Sequence, residues 1–178
     1  MSVLRITKYP EEVLKTKSKK IEGWSKDYSK LVLDMFDTMY AVGGVGLAAN
    51  QIGLALRLAV IDTQTNGKSK KIVLINPKIV LNEGKIEEHE GCLSLPGLFK
   101  KLNRNNKVRV LTYNEKGVPW EIRATAMLAR ALQHEIDHLD GKIFIDRLSV
   151  IQKMSVQKEI KRYQPIWEQQ VNTHRHAH

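Results

Sequence analysis

Residues 126–139 restrict the fold of this chain more than any other stretch. They are rich in Ala, Leu, Met, Arg and Gln and contain no Gly or Pro, which predicts a helix. Thr125 stands where an N-cap belongs, and Gly141 where a left-handed residue would end the helix. Inside this segment lies His134-Glu135-Ile136-Asp137-His138. A spacing of four turns a helix through about 400°, so both imidazoles leave one face, one turn apart, and can share a metal ion. Glu135 lies about 100° from His134 and about 60° back from His138, within reach of a water on that metal. Leu128, Leu132, Ile136 and Leu139 form a stripe for burial, and Met127, Ala131, His134 and His138 lie along another face. The chemistry this favours is hydrolysis with a carboxylate base. The plain alternative is two surface histidines that happen to sit four apart.

A catalytic metal of this kind usually takes three protein ligands and keeps one position open. The downstream His-x-x-Gly-x-x-His extension of some zinc proteases is absent, since Leu139-Asp140-Gly141-Lys142 follows. Glu159 is available downstream, but a charge pair with Arg162 three residues on explains it better. Upstream, the single cysteine, Cys92, stands in Glu90-Gly91-Cys92-Leu93-Ser94-Leu95-Pro96. With no partner for an internal disulfide, it is a buried thiol, a nucleophile or a ligand. Gly91 and Glu90 beside it argue against a purely inert buried thiol.

Three segments, Gly44-Val45-Gly46-Leu47-Ala48-Ala49-Asn50-Gln51, Glu90-Gly91-Cys92-Leu93-Ser94 and Gln133-His134-Glu135-Ile136-Asp137-His138, together resemble, in this order, the three motifs of peptide deformylases. The resemblance runs from Ile6 to about Ser149 and is to the compact bacterial form. It implies a metal held by Cys92, His134 and His138, with iron(II) in the cell and zinc or nickel in purified protein. It implies Glu135 as general base and then acid, and the Gln51 amide and Leu93 N–H as donors to the developing oxyanion. Val45, Gly46 and Gly91 would pair their backbones with an extended N-formylmethionyl peptide. A methionine-sized pocket would be lined by Val45, Met127 and Ala131. Asp137 or Gln133 would orient a ligand imidazole. Many members place Arg where Phe99 stands here, and Lys100, Lys101 or Arg104 would take over its contacts to the peptide. The rival readings are a zinc endopeptidase using Glu159, and a basic RNA-binding module with a structural metal.

The coarse pattern predicts an α+β fold, with antiparallel strands around a central metal-binding helix and a C-terminal helix. A first helix is expected over 25–42, with Ser25 as N-cap and Leu31, Met35, Met39 and Val42 on one face. Strands are expected over 57–62, 72–76, 79–81, 86–89, 107–113 and 118–123, with a turn at Asn66-Gly67 and a helical turn early in 11–21. The last helix is expected over about 149–163, before Pro165, and residues 172–178 are expected to be disordered. One domain over 1–178 is the natural count for this length. No apolar run is long enough to cross a bilayer and no signal-peptide core is visible, so the expectation is a cytoplasmic protein away from membranes. The net charge is +10, with five cations and no anions over 100–109. With the basic stretch 153–162, this raises contact with the ribosome as a partner reading, against a simple solvated face.

Overall fold

The computed structural model describes residues 3–64 and 67–175. Over these residues the fold is α+β, with two antiparallel sheets and three α-helices. Helix α1 covers Lys26–Ala41. Strands follow at Gly46–Ala48 (β1), Leu58–Ile61 (β2), Ile72–Glu83 (β3), Ile86–Cys92 (β4), Leu95–Arg104 (β5), Lys107–Tyr113 (β6) and Pro119–Thr125 (β7). Helix α2 covers Ala126–Leu139, and α3 covers Val150–Arg175. The larger sheet has the order β1-β2-β3-β6-β7, and β4 pairs with β5 alone.

Alternation along the strands explains why two helices sandwich part of the larger sheet. On β2, Ala59 and Ile61 join the cluster holding Leu132, Ile136 and Leu139 of α2. Leu58 and Val60 point the other way, to Val32, Met35, Phe36 and Met39 of α1. The stripe expected on α2 is therefore the buried one, with Leu128 packed against it. On α1 the expected face is displaced: Val42 is exposed and Leu31 only partly buried, while Val32 and Phe36 do the packing. Neither Ser25 nor Thr125 makes a side-chain cap. Ala126 instead enters α2 with φ of 50° and donates its N–H to Asn106 O.

Other boundaries move as well. The predicted strands 72–76 and 79–81 are one strand, β3, with irregular pairing between them. Strands β1 and β5 are not among the strands that the sequence pattern predicts. The predicted helical turn near residue 11 is a short 3-10 turn, Glu12–Lys15. Asn66 of the predicted turn and residues 176–178 of the predicted disordered tail lie outside the described residues. The last helix does not stop at Pro165. Past it, Trp167 is buried, stacks on Tyr163, meets Tyr9 edge-on and donates its indole N–H to Pro96 O. That burial outweighs the one helical hydrogen bond a proline removes. Among the described residues no helix is long and apolar enough to cross a membrane.

Candidate metal centre

The i, i+4 spacing on α2 brings the Nε2 atoms of His134 and His138 within 3.2 Å of each other. The third group comes from the end of β4. Strands β4 and β5 pair regularly from Ile86↔Arg104 to Gly91↔Phe99, then slip, so that Cys92 faces Leu95 across a tight turn. The slip delivers the Cys92 Sγ to 3.2 Å from His138 Nε2. The ligand atoms of Cys92, His134 and His138 all lie within 4.8 Å of one another. Two hydrogen-bond donors also face the sulfur, the Gln51 Nε2 and the Ser94 N–H, each at 3.4 Å.

A carboxylate sets the tautomer at this cluster. Glu90 Oε1 lies 2.6 Å from His134 Nδ1, so Nδ1 carries a proton and Nε2 faces the cluster. Burial would raise the Glu90 carboxyl, but hydrogen bonds from His134 and Arg104 bring it down to about 2. The same bond, with one to Cys92, draws His134 well above its ordinary range against the effect of burial. His138 goes the other way, held well below by burial and by its neighbour His134. A thiol and two imidazoles with converging donor atoms suit a single borderline metal ion such as zinc or iron(II). Glu135 supports the same fit. It is buried, its Oε2 has no hydrogen-bond partner among the described residues, and burial pushes its carboxyl up to about 7. A buried carboxylate oxygen without a partner is costly unless something small and polar meets it.

The orienting residues differ from those expected. Gln133 accepts from the backbone and side-chain N–H groups of Asn105 and donates to the carbonyls of Asn105 and Ala129. Asp137 receives Arg104 Nη1 at 2.5 Å and also pairs with Arg147. Neither hydrogen-bonds to an imidazole among the described residues, because position 133 faces the loop before β6 and position 137 faces the arginines. Arg104 does not reach toward a peptide either. Its side chain is only 4% exposed, and it binds Glu90 through Nη2 at 2.6 Å and Nε at 3.1 Å. A signal for Glu90 was available: residues two apart on a strand share a face, so Glu90 and Cys92 belong on the same side of β4.

Glu159, the ligand of the protease reading, sits outside the cluster and pairs with Lys100 rather than with Arg162. That pairing also removes Lys100 as a free peptide contact. The basic run 100–109 is largely matched: besides Lys100 and Arg104, Lys107 pairs with Glu83 and Arg109 with Glu121.

The remaining expected residues surround one cavity of about 580 Å³. Gln51, Cys92, His134 and Glu135 line its polar side, and Val45, Leu93, Phe99, Met127 and Ala131 line an apolar side. Gln51 is buried, its Oε1 accepting from the Ala48 N–H at 2.9 Å, which fixes the direction of its amide. Gly46 belongs to β1, an edge strand paired on one side with β2. A Cβ at Gly46 would lie 2.8 Å from the Glu135 carboxyl carbon, so only glycine leaves that carboxylate its place. At Gly91 a Cβ would lie 2.5 Å from the Phe99 ring, which is 63% exposed. Sequence reasoning missed Ser94, buried between Gln51 and Cys92, and Lys8, which also lines the cavity.

Comparison with known proteins places this arrangement. A family model described as polypeptide deformylase matches residues 3–154. A peptide deformylase from Thermodesulfovibrio yellowstonii is 48% identical over 162 residues, covering 90% of this chain and 98% of the relative. The crystal structure of a peptide deformylase from Legionella pneumophila superposes with a TM-score of 0.85 at 42% identity, covering 93% of this chain and 97% of that one. The peptide deformylase from Ehrlichia chaffeensis in complex with actinonin gives 0.82 at 38% identity, over 91% and 98% of the two chains.

Proposed function

Because this chain belongs to the polypeptide deformylase family and removes the N-formyl group from nascent peptides by hydrolysis, we propose a division of that reaction among its residues. Cys92, His134 and His138 hold the one metal ion. A divalent metal there supplies a Lewis acid and activates water at neutral pH. Glu135 takes a proton from the attacking water on its Oε2 as the water oxygen bonds to the formyl carbon, then delivers it to the amine that leaves as the C–N bond breaks and formate is released. Charge that develops on the formyl oxygen is met by the Gln51 amide and the Leu93 N–H. The peptide lies extended between the segment at Val45 and Gly46, where β1 begins, and the end of β4 at Gly91, and its methionine enters the apolar side of the cavity. The observation carrying this reading is the convergence of three ligand atoms within 4.8 Å beside a buried carboxylate.

The metal is iron(II) in the cell, with zinc or nickel in purified protein. Affinity order alone does not choose among these ions. The compartment is the cytoplasm, where formylated chains emerge and a reduced Cys92 persists. The test is deformylation of formyl-Met-Ala-Ser by anaerobically purified protein. Turnover by the wild type, and loss of both turnover and stoichiometric metal in Cys92→Ala, is the expected outcome. Full activity without the thiol would return the third ligand to another residue. Actinonin, bound by the Ehrlichia chaffeensis relative, should protect Cys92 from thiol titration.

Contact with the ribosome is the further partner reading, through Lys153, Lys158, Lys161 and Arg162, all exposed on α3. The helix cannot simply be deleted, since Val156, Ile160 and Trp167 are core residues. Charge reversal at Lys153, Lys158 and Lys161 should abolish salt-sensitive cosedimentation with ribosomes while leaving formyl-peptide turnover intact. Unchanged cosedimentation would remove the reading.

A further inference from the structure

The N-terminal segment crosses behind both halves of the site. The Thr7 N–H donates to Gln51 O at 2.7 Å, and the Tyr9 N–H donates to Ser94 O at 3.0 Å. Between them, the partly buried Lys8 extends its ammonium along the cavity wall and donates to Leu93 O at 2.8 Å. Among the described residues the hydrogen-bond partner of that ammonium is a carbonyl, not a carboxylate. The Leu93 carbonyl and the Ser94 N–H belong to one peptide group, and that N–H points at the Cys92 sulfur, 3.4 Å away. A cation on the oxygen end of a peptide polarises it, and its N–H becomes a stronger donor. We propose that Lys8 is a positioning residue for the deformylation site: by gripping Leu93 O it holds the Cys92-Leu93-Ser94 turn and directs the Ser94 N–H onto the ligand sulfur. The inference rests on the roles given above to Cys92 and Leu93.

The geometry also gives Lys8 a reason to be charged and long. Glu11 receives the Lys8 backbone N–H at 2.9 Å and Arg5 at 2.6 Å, so the main chain is fixed where a four-carbon stem just spans to the turn. A shorter or neutral side chain leaves the carbonyl exposed to the cavity without its partner. Because the turn carries both a metal ligand and an oxyanion donor, the loss should appear in the chemical step rather than in substrate binding.

The experiment compares the wild type with Lys8→Met and Lys8→Arg, each loaded with cobalt(II). Lys8→Met should lower kcat about ten- to a hundredfold with KM nearly unchanged, and Lys8→Arg should recover most of it. The sulfur-to-cobalt charge-transfer band should shift in Lys8→Met and return toward the wild-type position in Lys8→Arg, a signature that a merely structural lysine would not move. An unshifted band, an unchanged kcat or a loss confined to KM would each overturn the proposal, the last by making Lys8 a direct substrate contact. A wild type without deformylase turnover would instead overturn the functional assignment, and the band would still decide whether Lys8 acts on the sulfur.

Discussion

Glu135→Gln should lower kcat by roughly a hundred- to ten-thousandfold while leaving metal content and KM near the wild-type values. Glutamine keeps the shape beside Gly46, so no cavity opens and α2 keeps its packing. What is lost is the ability to accept a proton. The wild-type pH profile provides an independent check. Burial is the largest of the influences that together raise the carboxyl to about 7, and a nearby divalent cation lowers it from there, favouring the charged form. The base is present above its pKa and lost as pH falls through it, so kcat/KM should decline on an acid limb below about 7. The residual activity of Glu135→Gln should lack that limb. A variant that retains near-wild-type turnover would dismiss Glu135 as the proton carrier.

The second large effect should come from Arg104→Leu, which removes the cation between Glu90 and Asp137. All three side chains are less than a tenth exposed, and breaking such a buried group by removing one partner costs about 3–5 kcal/mol. For a chain of this size that is a fall in Tm of about 10 °C, measurable by calorimetry on the metal-loaded protein. Asp137 keeps Arg147, but Glu90 is left with His134 alone. Metal affinity should therefore also decline, about tenfold or more, because the carboxylate orienting His134 loses its anchor. Unchanged Tm would mean that Glu90 and Asp137 find water in place of the guanidinium.

Much of this site is legible in the residues because its chemistry is local. His134, Glu135 and His138 share a helix with no breaker, and spacing alone assigns their faces. Cys92 stands out as the chain's only thiol. The partners of those residues are less legible, since they are set by register between segments far apart in sequence. Arg104 meets Glu90 across fourteen residues and Asp137 across thirty-three. Nothing in a run of five cations marks one of them as buried. Strand β5 was hidden for a second reason: Pro96 and Gly97 weaken the strand pattern, and Lys100 interrupts the alternation of Leu98, Leu102 and Arg104. Strand β1, with three residues, is too short to show a period. The path of α3 past Pro165 was unreadable for a third reason, because its warrant is one indole and the carbonyl that receives it.

That indole has a temporal consequence. The turn that presents Cys92 runs into Pro96, whose carbonyl is held by Trp167, and Gly97, which lies under the ring of Tyr163. Chains are made from the N-terminus, so the thiol, both imidazoles and the carboxylate are all synthesised before the residues that brace that turn. A growing chain of this protein thus carries every reactive group well before it carries their last support. The scaffold that processes other newborn chains gains the brace for its own Cys92 turn only after its reactive groups have been made.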